Sequence, residues 1–190
     1  MESVKYFETI KCEDFEVYNL SYHNKRIANT IGLNIDLQEY IYPPSEELLR
    51  CKVIYDESGI LSVDYFPYNK REIRSFKLIF DDEIYYDKKY LNREGLNNLF
   101  NLKDDCDEII IIKNGIVTDT SIANIAINYE NSWICSNISL LEGTTKNRLL
   151  EERQLLLKDI TVDMLENSSQ IALMNAMIGF DILKDYSFKL

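Results

Sequence analysis

The run Glu108-Ile109-Ile110-Ile111-Ile112, followed at once by Lys113-Asn114-Gly115, leaves the chain few options. A short, uninterrupted run rich in β-branched residues reads as a strand buried on both faces. The Asn-Gly pair behind it is the signature of a two-residue hairpin turn, because both central positions of that turn need positive φ. Ile116-Val117 is then the returning strand, and Asp119 is expected at its end. A second pair, Ile122 to Tyr129 and Ser132 to Cys135, reads as strands joined through Glu130-Asn131. The middle of the chain is therefore sheet, and elements on either side must pack around it.

Upstream, residues 5–18 place Tyr6, Phe7, Ile10, Phe15, Val17 and Tyr18 around a polar break at Lys11-Cys12-Glu13-Asp14, which predicts a β-hairpin. Asn19-Leu20-Ser21 supplies helix-start residues, and Leu20, Tyr22, Ile27 and Ile31 recur at helical spacing to about residue 32. Pro43-Pro44-Ser45-Glu46-Glu47 predicts a turn and a short helix through about Arg50. Cys51–Tyr55 and Ile60–Phe66 predict a hairpin about Asp56-Glu57-Ser58-Gly59, and Arg74–Phe80 another strand. Glu94–Phe100 predicts a short helix, and Gly143-Thr144-Thr145 opens a further one. Ile171 to Phe180 reads as a closing β-segment and residues 185–190 as an edge strand. The fold class is mixed α+β, with a small N-terminal α/β domain over residues 1–80 and a larger β-rich domain over 81–190.

A net charge of -11, from 21 Lys and Arg against 32 Asp and Glu, argues against nucleic acid and anionic membrane as partners. Cys12, Cys51, Cys106 and Cys135 lack the close pairing of a zinc or redox motif, so free buried thiols and no metal are expected. No apolar stretch approaches the length of a membrane helix, and Met1-Glu2-Ser3-Val4-Lys5 does not resemble a signal peptide, so a cytoplasmic setting is expected. His23 is the sole histidine and lies three residues before Arg26 on one helical face.

Two stretches carry a resemblance. Lys89-Tyr90-Leu91-Asn92-Arg93, at the end of Tyr85–Arg93, is similar to the Schiff-base lysine segment of the class IV (fold type IV) pyridoxal-phosphate enzymes. Thr118-Asp119 through Asn124 resembles that family's second signature, an acidic residue after Thr, then small residues and Asn. His23-x-x-Arg26 resembles the segment whose arginine holds the cofactor phosphate. Leu141-Glu142-Gly143-Thr144-Thr145 resembles the segment that closes the phosphate cup. The resemblance implies pyridoxal 5′-phosphate as cofactor and Lys89 as the catalytic residue. It implies Arg26, Lys89, Asp119, Ser121, Ile122, Ala123, Thr144 and Thr145 as cofactor-binding residues. Asp119 stands where the family generally has Glu, one methylene longer, and the stretch between Arg26 and Lys89 is shorter than usual.

The chemistry agrees with these residue types. An amine substrate must exchange with a lysine amine, a protonated pyridine nitrogen requires a carboxylate, and a phosphate dianion suits a guanidinium fork and a helix start. Local likeness of the lysine segment to aminodeoxychorismate lyases implies conversion of 4-amino-4-deoxychorismate to 4-aminobenzoate and pyruvate, in folate biosynthesis. The alternatives are an aminotransferase for a D- or branched-chain amino acid and a cofactor-binding protein without turnover. In each enzymatic case the partner is a small-molecule amine, and the resemblance implies a homodimer.

Overall fold

The computed structural model describes residues Ser3–Lys189. The chain divides into two compact units, one running to Lys70 and including Lys88–Asn92, the other made of Arg71–Asp87 and the residues from Arg93 onward. The division thus falls ahead of the strand at residues 75–80, and Lys89 clusters with the first unit rather than with the C-terminal body.

In the first unit, β1 (Tyr6–Glu13), β2 (Glu16–Val17), β3 (Leu49–Asp56) and β4 (Gly59–Pro67) form a four-stranded antiparallel sheet in the order β2-β1-β3-β4. The first turn sits at Asp14-Phe15, both at positive φ, so β1 runs straight through the expected polar break. Its polar residues there are paired with β3 in the register Lys11↔Arg50 and Cys12↔Leu49. Helix α1 (Leu20–Ile31) ends at Gly32, whose φ of 75° suits the left-handed cap. Ile27 of α1 joins Ile10, Leu49, Val53 and Tyr55 in one core. The short helix expected after Pro44 does not form. The Glu46 carbonyl accepts from the Asp14 N–H, and β3 begins at Leu49, whose side chain is buried in the core.

The second unit is built on a nine-stranded sheet. Strand β5 (Ser75–Phe80) is followed by helix α2 (Glu94–Phe100), β6 (Glu108–Lys113), β7 (Ile116–Thr120), β8 (Asn124–Tyr129) and β9 (Ser132–Cys135). Then come α3 (Thr144–Glu151), β10 (Leu156–Leu157), α4 (Val162–Glu166), β11 (Gln170–Asn175), β12 (Gly179–Ile182) and β13 (Ser187–Lys189). Leu190, the last residue of the expected edge strand, lies outside the described residues, as do Met1 and Glu2.

The turns at Asn114-Gly115 and Glu130-Asn131 have positive φ at both residues, as the tight hairpins require. β5 and β6 pair in parallel, which no tight turn can connect. The long crossover this demands is the segment that carries Lys89. Both faces of β8 are covered. Ile125 and Ile127 enter one core with Phe76, Ile110 and Leu173, while Ala126 enters another with Cys135, Leu149 and Met174. This two-sided burial is why the central strands read as apolar runs, each fully buried side chain being worth about 1.5–3 kcal/mol. All four cysteines are free and buried. Among the described residues no helix is long and apolar enough to cross a membrane, and no cluster is suited to a metal ion.

Candidate active site

Within the first unit, β1 and α1 bring three ionisable side chains together. Glu8 occupies an inward position between Tyr6 and Ile10, and it is fully buried. Arg26 Nε donates to Glu8 Oε1 at 2.8 Å and its Nη2 donates to Oε2. His23 Nδ1 lies 2.6 Å from Glu8 Oε2, and because a carboxylate only accepts, that nitrogen carries the proton. Burial works to raise the Glu8 carboxyl, but Arg26 and His23 outweigh it and hold it at about 2. Burial pushes the imidazole down, so His23 is the neutral tautomer. Its Nε2 is buried and meets no hydrogen-bond partner among the described residues. Sequence reasoning did not single out Glu8. The available signal was an acid at an inward register of an alternating strand.

Lys88 and Lys89 diverge. Lys88 Nζ donates to the Thr30 carbonyl at 3.0 Å, at the end of α1. Lys89 Nζ instead lies 4.6 Å from the centre of the Phe7 ring, and its carbonyl accepts from the Phe7 N–H at 3.0 Å. Tyr90 forms a bridge to Tyr6, so β1 fixes the backbone at and just after the lysine. Arg26 and Lys89 thus both border the His23–Glu8 pair, whose imidazole senses the charge of each.

Within the second unit, Asp119 lies inside β7, which extends to Thr120 instead of ending at Val117. Its register partner is Asn124 on β8. Asp119 Oδ1 accepts from Asn124 Nδ2 at 2.7 Å and Oδ2 from the Leu141 N–H at 2.9 Å. Burial pushes the carboxyl up to about 6, against the pull of the Leu141 N–H, the Asn124 amide and Lys146. The turn between β7 and β8 carries Ser121, Ile122 and Ala123. Thr120 Oγ1 accepts from the Ile122 and Ala123 N–H groups, and the Ser121 N–H reaches Glu108 Oε1 at 3.3 Å. Arg93 Nη2 donates to the Ser121 carbonyl at 2.6 Å, and Asn175 Nδ2 to that of Ile122 at 3.3 Å. Ser121 and Ala123 are buried, and Ile122 is the exposed member.

Thr144 and Thr145 open α3, both buried, behind an N-cap Gly143 that offers no side-chain acceptor to the first N–H groups of the helix. Lys146, next along, is buried and held by Ser139. The second unit therefore gathers Asp119, the 121–123 turn and the start of α3 around one asparagine.

These features fit pyridoxal phosphate. A buried carboxylate with a raised value is under-neutralised and is stabilised by a protonated ring nitrogen, and each of its oxygens retains acceptor capacity beyond one hydrogen bond. A helix start without a side-chain cap suits a phosphate.

Residues 95–182 match the amino-transferase class IV family. The chain is 35% identical to a candidate 4-amino-4-deoxychorismate lyase of known structure from Haemophilus somnus, with a TM-score of 0.86 over 94% of this chain and 99% of that one. It is 32% identical to an uncharacterized protein from Haemophilus influenzae over 184 residues, which span 91% of this chain and 97% of that one. A hypothetical aminotransferase from Mycobacterium tuberculosis, solved with pyridoxal phosphate bound, shares the fold at a TM-score of 0.77 and 15% identity over 97% of this chain and 81% of that one. The architecture is that of the fold type IV pyridoxal-phosphate enzymes. Within it, the chain belongs to the amino-transferase class IV family, and that membership implies pyridoxal phosphate as its cofactor.

Proposed function

We propose that this chain is a lyase that converts 4-amino-4-deoxychorismate to 4-aminobenzoate and pyruvate, with pyridoxal 5′-phosphate held on Lys89. The observation that carries the reading is the 35% identity, spanning both chains almost end to end, to a candidate lyase of that specificity. Bound pyridoxal phosphate supplies an electron sink for the bonding electrons of the substrate.

The remaining roles belong to the protein. Lys89 is the amine that holds the cofactor and, once released, takes the ring proton at Nζ as the enolpyruvyl oxygen departs. Its backbone is tied to β1 through its own carbonyl and through Tyr90, which limits where Nζ can return. Asp119 keeps the ring nitrogen protonated, and that ion pair offsets the cost of its own burial. The family likeness supports a phosphate-binding role for Arg26 in the first unit and, taken by itself, for the first N–H groups of α3, at Thr144 and Thr145, in the second. Glu8 grips the Nε and Nη2 of Arg26 and so fixes the orientation of the guanidinium. The turn of Ser121, Ile122 and Ala123 would supply further contacts to the bound cofactor. Removal of a proton and loss of pyruvate with aromatisation balances without a second substrate, so no keto acid is consumed. The family likeness further supports a homodimer as the working form, a place in folate synthesis and a cytoplasmic setting.

The test is release of 4-aminobenzoate and pyruvate from 4-amino-4-deoxychorismate by protein loaded with pyridoxal phosphate and no keto acid. Wild type and Lys88→Ala are expected to turn over, and Lys89→Ala is not. A visible band fixed by borohydride in wild type and absent from Lys89→Ala would accompany this. Turnover that requires a keto acid would make the chain an aminotransferase, and absence of the band in wild type would remove the cofactor assignment.

A further inference from the structure

Asn124 belongs to the second signature segment, yet the roles above give it no task. Its surroundings do. Its amide nitrogen donates twice, to the buried Asp119 Oδ1 at 2.7 Å and to the half-buried Leu141 carbonyl at 2.9 Å. The Leu141 N–H returns to Asp119 Oδ2 at 2.9 Å. The three residues close a ring of hydrogen bonds through the backbone N–H and C=O of one residue, Leu141. Since Asp119 and the Leu141 carbonyl are both acceptors, chemistry fixes which end of the Asn124 amide faces them.

The oxygen end is used as well. A Cβ placed on Gly143 would lie 1.9 Å from Asn124 Oδ1, so the chain at Gly143 rests directly on that atom and only glycine fits. For Asn124 to yield, its amide would have to give up the bonds to Asp119 and Leu141, since its backbone is fixed by the pairing of β8 with β7, β9 and β11, opposite Asp119 and Met174. A rigid strand thus dictates through one side chain where the segment 141–143 lies, and therefore where α3 begins. Asp119 Oδ2 holds the same segment through the Leu141 N–H, and the asparagine amide ties the two together. Aspartate would set a second carboxylate against two acceptors, and serine or alanine would not reach Leu141.

We propose that Asn124 is a positioning residue that joins the Asp119 carboxylate and the segment opening α3 into one rigid assembly, so that the group facing the ring nitrogen and the group facing the phosphate are set together. The ligand half of this proposal rests on the cofactor reading above, whereas the coupling itself does not. Lys146 is the other charged group that acts on Asp119, and it is unchanged in every variant below.

The experiment has two arms. In the first, urea unfolding of cofactor-free protein is measured for Gly143→Ala, Asn124→Ala and the double variant, with Asn124→Ser as a second background should alanine fail to fold. Gly143→Ala is expected to destabilise strongly in wild type and much less where Asn124 is gone, since the overlapping atom has been removed. The pH at which Asp119 titrates, read from the pH dependence of stability against Asp119→Asn, is expected to rise in Asn124→Ala through loss of a donor. Additive effects with an unmoved midpoint would overturn the proposal.

In the second arm, binding of pyridoxal phosphate and of pyridoxal is titrated by absorbance. Asn124→Ala is expected to lose about tenfold or more for pyridoxal phosphate, the value of a hydrogen bond to a charged group, and less for pyridoxal. Equal losses for both ligands, or none, would overturn it. Should wild type bind neither ligand, the cofactor reading fails while the first arm still decides the coupling.

Discussion

Asp119 offers the sharpest quantitative test of the site. In the folded chain its carboxyl is pushed up to about 6 from 3.8, chiefly by burial. The protonated form therefore favours the fold. That contribution is fully present below about pH 3.8 and is lost as pH rises through about 6, and it amounts to about 3 kcal/mol at 1.36 kcal/mol per pH unit. Roughly 1 kcal/mol of it falls between pH 5 and pH 7. Asparagine at this position has nothing to titrate, although its amide cannot accept from both Asn124 and Leu141, a loss of about 1–3 kcal/mol that does not vary with pH. The measurement is urea unfolding of cofactor-free wild type and Asp119→Asn at several values from pH 5 to pH 8. It can be followed by fluorescence of Trp133, the sole tryptophan, which packs edge-on to Phe180 at 4.8 Å. The stability of wild type relative to the variant should fall with rising pH by that amount. A difference that stays flat, or that grows with pH, refutes the account of a buried, under-neutralised carboxylate. Saturating pyridoxal phosphate should flatten the trend, since a protonated ring nitrogen keeps the carboxylate ionised.

Glu8→Gln should destabilise the chain by about 3 kcal/mol at pH 7 by leaving Arg26 without its buried partner. Because the folded carboxyl sits at about 2 against 4.5, the ionised form favours the fold and the penalty should shrink as pH falls from about 4.5 toward 2, as thermal melts would report. Ile110→Ala should cost about 2–5 kcal/mol by opening a cavity in the sheet core, measured by urea midpoint at unchanged m. Arg93→Ala removes the donor to the Ser121 carbonyl and should weaken pyridoxal-phosphate binding about tenfold, at about 1.5 kcal/mol for a charged hydrogen bond, with little loss of overall stability. Equal affinities would exclude that role.

Much of the frame could be read locally. The Ile109–Ile112 run, the Asn114-Gly115 turn and the helical spacing to about residue 32 each follow from a few adjacent residues, and each stands in the structure. What failed was set at a distance. The helix expected after Pro44 had adequate start signals, but Leu49 is held by pairing with Cys12 and Glu46 by Asp14, thirty residues and more upstream. β7 reaches Thr120 because Asp119 pairs with Asn124 and Thr120 with Ile110, not because its own residues favour a strand. The same divide runs through the candidate site. Lys89 could be chosen over Lys88 only by the spacing to Asn92 and Arg93, and the geometry now separates their side chains. Glu8 was overlooked because an acid in a strand acquires meaning only once His23 and Arg26 are seen facing it. Asn124 could be noticed as part of a signature, but its task depends on Leu141, seventeen residues away.

The turn of Ser121, Ile122 and Ala123 has a consequence for motion and for tolerance to change. Most connections exchange their amide hydrogens quickly and accept insertions readily. Here the N–H groups are held by Thr120 and Glu108, and two carbonyls by Arg93 and Asn175. Thr120 is the turn's own neighbour, but Arg93, Glu108 and Asn175 come from separate parts of the chain, so the turn opens only when the unit around it opens. Its amides should therefore exchange with solvent on the timescale of the central strands, and an added residue at this position should be borne as poorly as one inside β8.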